Sequence, residues 1–393
     1  MPVKLFVRLA GHAAVLTLAA NCNGQWTVTS LHPAGATNSR AWSTNNGKQG
    51  GWAFVDGVGG ACTWNGTAAS WADLRPSGYS SSQINALSPT QQGGYVDIGF
   101  GQPHAALWSG TSSWVDLNPA AAFADFSEVF AVADGQQVGW AQIFTWTHAS
   151  LWTGSAGSWV DLNPPGVTFA QARAAAGGRQ GGWVQMPNGF HASLWSGTAE
   201  SWVDLHPSVA TGSAIMAMTD TQQAGTIEMG GPPHACLWSG TAESYVDLHP
   251  LAAGDSWSSA LAISGNTQAG YVILNDTIHA SAWMGTAESW IDLHALLPAD
   301  FTSSQATGVW TGPTGIHVCG YGFNETIGRS EALLWTLPTC QADFNHDGFV
   351  NGDDYDSFAS LFELGDLGAD INNDSFVNGD DYDLFASAFE SGC

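Results

Sequence analysis

Apolar residues in the first 340 positions come in short runs set between turn-forming residues. In one stretch the runs are Gln83 to Leu87, Gly94 to Ile98, His104 to Trp108 and Ser113 to Leu117, parted by pieces such as Thr90-Gln91-Gln92-Gly93 and Ser109-Gly110-Thr111. These read as four strands per unit, with Gly supplying the positive backbone angles that tight reversals need. The unit repeats. Its fullest form runs from His191-Ala192-Ser193-Leu194-Trp195 through Asp204-Leu205-His206-Pro207, and the closing prolines stand at Pro33, Pro76, Pro119, Pro164, Pro207 and Pro250, with Ala295 next, in steps of 43, 43, 45, 43, 43 and 45. The Trp of the first half recurs at Trp64, Trp108, Trp152, Trp195, Trp238, Trp283 and Trp335, which makes seven copies. A period of about 40 to 50 residues with several short strands per unit predicts propeller blades.

The ends of the array predict how the ring closes. Val28-Thr29-Ser30-Leu31-His32-Pro33 matches only the last strand of a unit, and the final unit stops at Leu334-Trp335 without that strand. The N-terminal piece therefore completes the seventh blade, leaving no open sheet edge. The expected fold over 21–339 is an all-β seven-bladed propeller.

Beyond Cys340 the periodicity changes. Tyr355, Phe358 and Phe362, then Tyr382, Phe385 and Phe389, recur at spacings of three and four, so each set lies on one face of a short helix. Ahead of each helix stands a loop: Asp343, Asn345, Asp347, Phe349, Asn351 and Asp354 in the first, and Asp370, Asn372, Asp374, Phe376, Asn378 and Asp381 in the second, 27 residues later. Side-chain oxygens at positions 1, 3, 5, 9 and 12, with the carbonyl of Phe349 or Phe376 at position 7, suit a hard cation of calcium size. Ser375 stands where the first loop has Gly348, a position that wants a left-handed backbone, so the second loop should bind less tightly.

Charge sharpens this division. The chain carries 34 acidic against 8 basic residues, a formal charge of -26, and residues 340–393 hold no Lys, Arg or Trp. Eight scattered cations cannot supply a counterion-releasing surface, so nucleic acid is excluded as a partner. With 44% hydrophobic residues and 20 Trp the chain has ample apolar surface to fold. Lys4 and Arg8 ahead of an apolar stretch through Ala20 read as an export signal over 1–20, and no segment approaches membrane-spanning length. Cys62 and Cys236 share one repeat position and are read as small buried residues, whereas Cys340 and Cys393 bracket the acidic segment, where a bridge would suit an oxidising compartment.

The repeated His104, His148, His191, His234 and His279, and the repeated Asp73, Asp116, Asp161, Asp204, Asp247 and Asp292, are read as hydrogen-bonding fixtures of the blades. Trp114, Trp159, Trp202 and Trp290 are read as filling space between blades rather than as sugar-stacking platforms. Unrepeated acids, Asp97, Asp125, Glu128, Glu228 and Asp276, are candidates to meet at one mouth of the ring.

Two resemblances follow. The run His-Ala-x-Leu-Trp followed by Asp-Leu resembles the HAF-type extracellular repeat of secreted bacterial proteins, over about residues 26 to 337, which implies export and a repeat fold. The paired loop-helix segments, with Asp at position 12 of each loop and the ending Ser391-Gly392-Cys393, are similar to type I dockerin domains and to C-terminal dockerin-like domains ending in Gly-Cys. That likeness implies an all-α, paired EF-hand-like domain over 340–393, two bound calcium ions, and a cohesin-like or cell-surface partner read by Gly352, Asp353, Gly379 and Asp380. The chain is accordingly read as an exported binding or surface-assembly protein at the cell surface or beyond it, with a carbohydrate or protein ligand at the propeller. The alternative is an extracellular carbohydrate-active enzyme, a glycosidase or lyase, delivered by the same domain.

Overall fold

In a computed structural model of the chain, which describes residues 20–21, 26–99, 101–345, 349–372 and 374–391, each repeat forms one four-stranded antiparallel sheet. Blade 1 consists of Asn38–Asn45, Lys48–Val55, Val58–Trp64 and Ala72–Asp73, and the first strands of blades 2 to 7 are Ser81–Leu87, Ala124–Ala133, Ala170–Ala176, Gly212–Met218, Ser258–Ser264 and Phe301–Gly312. First strands of successive blades lie side by side around a ring, and that of blade 7 meets that of blade 1. Seven blades thus enclose a central channel.

The ring closes through the N-terminal strand Thr27–Ser30. It pairs with Arg329–Leu337 of blade 7 in the register Thr27↔Thr336 to Ser30↔Leu333, and Leu31 then donates its amide to the Ala332 carbonyl at 2.8 Å. Leu31 is fully buried in a cluster that joins blades 7 and 1. Chain start and chain end of the propeller are therefore fastened by one sheet.

The repeated Trp at the end of each third strand is the largest buried side chain of its blade, and all seven are buried. Trp159, Trp202 and Trp290 pack half-buried against the inter-blade clusters, with their indole N–H groups donating to Ser150, Ser193 and Ser281 at 2.9, 2.9 and 3.0 Å. Burial also pushes up the free thiols of Cys62, Cys236 and Cys319, that of Cys319 to about 12.

One glycine recurs for a steric reason. Gly51, Gly94, Gly139, Gly182, Gly225, Gly270 and Gly320 stand at the same place in each second strand, where a Cβ would overlap a first-strand carbonyl: that of Arg40, Gln83, Glu128, Gln171, Ala214, Ser259 or Gln305. Just past that contact each first strand carries a β-bulge, for example between Ala41 and Ser43 and between Ala172 and Ala174. The close approach and the extra residue together aim one side chain per blade toward the axis.

A serine ladder ties blade to blade. Ser39, Ser82, Ser127, Ser213, Ser258 and Ser304, all buried, accept the amide proton of an alanine in the preceding blade at 2.8 to 3.1 Å. His32, His206, His249 and His294 place Nδ1 2.7 to 2.8 Å from four of those hydroxyls, so loop, blade and neighbour share one hydrogen-bond chain.

A separate unit holds the strand Ala20–Asn21, paired antiparallel with Phe349–Val350, and residues 338–391. Two helices dominate it, α1 (Gly352–Leu364) and α2 (Gly379–Ser391). Their aromatic faces close on each other reciprocally. Phe358 and Phe385 stack at 4.1 Å, while Tyr355 meets Phe389 at 6.2 Å and Phe362 meets Tyr382 at 5.9 Å. Each outer pair is the other with the helices exchanged, which is a pseudo-two-fold arrangement. Gly365 ends α1 in the left-handed conformation. Cys340 takes part in a disulfide. Cys393 and, apart from Ala20, the export-signal segment lie outside the described residues. Among the described residues no helix is long and apolar enough to cross a membrane.

Candidate functional site

The second loop is described except for position 373, and it is already curled. Asp370 accepts the amides of Asp374 and Ser375 at 3.1 and 2.8 Å, Asn372 accepts that of Asp374 at 2.9 Å, and Asp374 accepts that of Phe376 at 2.9 Å. Ser375 takes φ +73°, the left-handed turn this loop position demands. Asp381, at position 12, is fully buried and accepts amides from Ile371, Asn372 and Asn378 at 2.9, 3.2 and 2.9 Å. Those amides, Asn378 foremost, hold its carboxyl below the ordinary range and therefore ionised.

The first loop repeats what can be compared. Asp354 is fully buried and accepts amides from Asn345 and Asn351 at 3.1 and 2.9 Å, and the Asn351 side chain caps α1. Asp347 and the side chain of Phe349 lie outside the described residues. Asp343 is partly buried, whereas Asn345, Asp370, Asn372 and Asp374 to Asn378 line the outer turn of their loops at intermediate to full exposure. Among the described residues no three His, Cys, Asp or Glu side chains are gathered as a metal-holding group. The loop oxygens engage backbone amides instead, which leaves lone pairs on each carboxylate. Gly352 and Asp353, and Gly379 and Asp380, form the exposed first turns of α1 and α2.

The repeated His and Asp residues pair within each blade. His104–Asp116, His148–Asp161, His191–Asp204, His234–Asp247 and His279–Asp292 sit at 2.8, 2.7, 2.8, 2.8 and 3.0 Å. Each pair joins the start of a third strand to the end of the fourth, which is a fastening rather than a shared centre.

Of the unrepeated acids, Glu128 alone lines the channel cavity. Asp97 accepts the amides of Gly99 and Gln102, Asp276 occupies a left-handed turn, Asp125 is exposed beside a bulge, and Glu228 ends its strand. The cavity measures about 230 Å³. Its ring of bulge residues is Trp42, Asn85, Phe130, Arg173, Met216, Leu261 and Thr307, one from each blade.

Polar groups of blades 2, 3 and 4 form a network along the wall. Gln83 donates to Asn85 at 2.7 Å, Asn85 to Glu128 at 2.9 Å, and Trp140 Nε1 to the other Glu128 oxygen at 3.3 Å. Arg173 lies with its guanidinium 3.9 Å over the Phe130 ring and donates to Gln171 at 3.3 Å. Burial pushes the Glu128 carboxyl up and the Arg173 guanidinium down, the nearby opposite charge partly offsetting both. Glu128 is among the acids expected at one mouth of the ring, whereas none of the seven bulge residues is singled out by the sequence. Their signal was there: aligned repeats vary at this position while the residue before it stays aliphatic, Ala41, Ile84, Val129, Ala172, Ile215, Ala260 and Ala306.

No protein-family model matches the sequence, and no curated protein matches it. Among solved structures it is similar to a puromycin hydrolase S511A mutant complexed with PGG, at 9% identity over 77% of this chain and 53% of that one, TM-score 0.51. Similar too are an acylaminoacyl peptidase in complex with Z-Gly-Gly-Phe-chloromethyl ketone, at 9% identity over 76% and 51%, TM-score 0.51, and the uncomplexed Pyrococcus horikoshii acylaminoacyl peptidase, at 9% identity over 77% and 52%, TM-score 0.50. The chain spans about half the length of those proteins. At such identity the likeness concerns the propeller fold alone, and the fold is compatible with a binding or an enzymatic role.

Proposed function

We propose that this chain is an exported binding or surface-assembly protein, its propeller tethered through a calcium-dependent, dockerin-like domain to a cohesin-like partner. The reading rests chiefly on one observation: two loop-helix units, alike in sequence, meet in reciprocal aromatic pairs with a buried Asp354 or Asp381 behind each loop. Residues 340–393 contain no Lys or Arg to offset these carboxylates, which favours a bound cation as their counter-charge. Calcium would be held by Asp343, Asn345, Asp347, Asn351, Asp354 and the Phe349 carbonyl in the first loop. In the second it would be held by Asp370, Asn372, Asp374, Asn378, Asp381 and the Phe376 carbonyl. When bound it supplies positive charge where acidic groups otherwise repel. The HAF-like repeats and the Lys4/Arg8 leader support export, and with it a surface or extracellular location.

A pseudo-symmetric domain can meet one partner site in two orientations. Gly352-Asp353 and Gly379-Asp380 occupy equivalent exposed turns, so altering either pair should cost little affinity and altering both should abolish binding, a strongly non-additive result. The partner is captured from the outer cell fraction with the full chain in calcium and in EDTA, then titrated with the three variants. Capture that ignores EDTA, or full loss from one pair alone, would overturn the reading.

A further inference from the structure

Demands made by the fold repeat in every blade, as the buried aliphatic residue before each bulge does. The bulge residues themselves repeat nowhere: Trp42, Asn85, Phe130, Arg173, Met216, Leu261 and Thr307 are seven different side chains at one structural position facing one cavity. Sevenfold packing does not ask for that variety. An asymmetric ligand does.

The wall has two chemistries. On the side of blades 3 and 4, Arg173 spends one N–H on Gln171 and has no other hydrogen-bond partner among the described residues. Each oxygen of Glu128 accepts one donor and keeps acceptor capacity. Next to Arg173 around the ring, Met216 and Leu261 of blades 5 and 6 are apolar, while the Phe130 ring is covered by the Arg173 guanidinium. The opposite charges of Arg173 and Glu128 offset one another, so the cavity itself is close to neutral within a chain of formal charge -26 that repels anions at long range. A ligand that fits must both accept and donate at its polar edge, present an apolar face, and carry no net charge.

We propose that this cavity binds one uncharged saccharide ring, adjacent hydroxyls accepting from Arg173 and donating to Glu128 while the C–H face lies against Met216 and Leu261. A hydroxyl is donor and acceptor at once, and the C–H face of a pyranose is apolar. The space beside Glu128 measures about 230 Å³, room for a single sugar ring, and the same seven bulge residues line an adjoining stretch of about 180 Å³ into which a longer glycan could extend. The inference rests on reading the propeller as the binding body and is independent of the calcium loops.

The full chain, kept in EDTA, is applied to an array of neutral and acidic glycans, and the best neutral sugar is then titrated by calorimetry. Neutral glycans should bind. Arg173→Met and Glu128→Leu should each weaken binding about tenfold or more, the loss of a hydrogen bond to a charged group. Because either change could disturb the wall, Met216→Trp provides a second route, filling the cavity from its apolar side without touching a charge, and should abolish binding while melting behaviour is preserved. The inference falls if no neutral glycan binds, if acidic glycans bind better, or if folded Met216→Trp protein binds as the parent does. Running the assay without calcium keeps a failure here distinct from a failure of docking.

Discussion

Gly182 offers the sharpest test of how the blades position the channel. Adding one methyl group in Gly182→Ala would drive a Cβ onto the Gln171 carbonyl oxygen and to 2.9 Å from the Ala172 Cα, where ordinary contact is 3.4–4 Å. Both obstacles are backbone, so no side chain can swing aside, and the first strand of blade 4 must move toward the axis. Overpacking of this kind costs about 1–3 kcal/mol. Spread over Trp26–Leu337, unfolding entropy is about 0.65 kcal/mol/K, so the melting temperature should fall by about 2–5 °C. Gly157→Ala is the matched control. It sits in the short turn Ala156–Ser158 with nothing within 4 Å of an added Cβ, and should be neutral or raise stability by about 0.4–1 kcal/mol through the unfolded chain. Differential scanning calorimetry on both variants measures the contrast. Equal melting temperatures for Gly182→Ala and the parent would refute the close-approach argument, and with it the claim that this glycine and the bulge together aim Arg173 into the cavity.

Deleting residues 26–31 should expose the third strand of blade 7 and leave the last blade incomplete, so the protein should aggregate or melt markedly lower; a monomer of parental stability would exclude closure by that strand. Ser375→Gly should tighten calcium binding about fivefold, because relieving a left-handed non-glycine residue is worth about 1 kcal/mol, and titration showing weaker binding would contradict the loop assignment. Burial lowers the pKa of His32, His206, His249 and His294, so the unfolded chain takes up protons that the fold resists, and stability should drop as pH falls through about 6.5. Replacing His206 and His249 by Gln should flatten the melting-temperature profile across that window; an unchanged profile would show that these imidazoles do not carry it.

Much of the propeller was legible because a repeat declares its own structural positions. Trp195, Leu205 and Pro207 recur at fixed spacing, and the unmatched piece around Val28 to Leu31 announces its missing partner. The helices were legible as aromatic stripes, from Tyr355 to Phe389. Bulges were not, since an extra residue in a strand leaves no period to read, and so Trp42 to Thr307 passed as ordinary strand residues. The recurring second-strand glycines were visible in the sequence, but the reason for them, a backbone carbonyl of the neighbouring strand, exists only in three dimensions. Fourth strands are also shorter than the alternation predicts: Trp114–Asp116 has three residues, although Leu117 still donates its amide to the Ala105 carbonyl at 2.8 Å in the same register.

Calcium uptake by the full chain bears most directly on the central claim, that a propeller is carried on a domain assembled around cations. Isothermal titration of the EDTA-stripped, dialysed protein should give saturable binding of two calcium ions per chain, accompanied by a gain in helical circular dichroism, with uptake lost when Asp354 and Asp381 are both replaced by Ala. A folded chain that takes up no calcium, or that binds it equally well without those two carboxylates, would contradict the account.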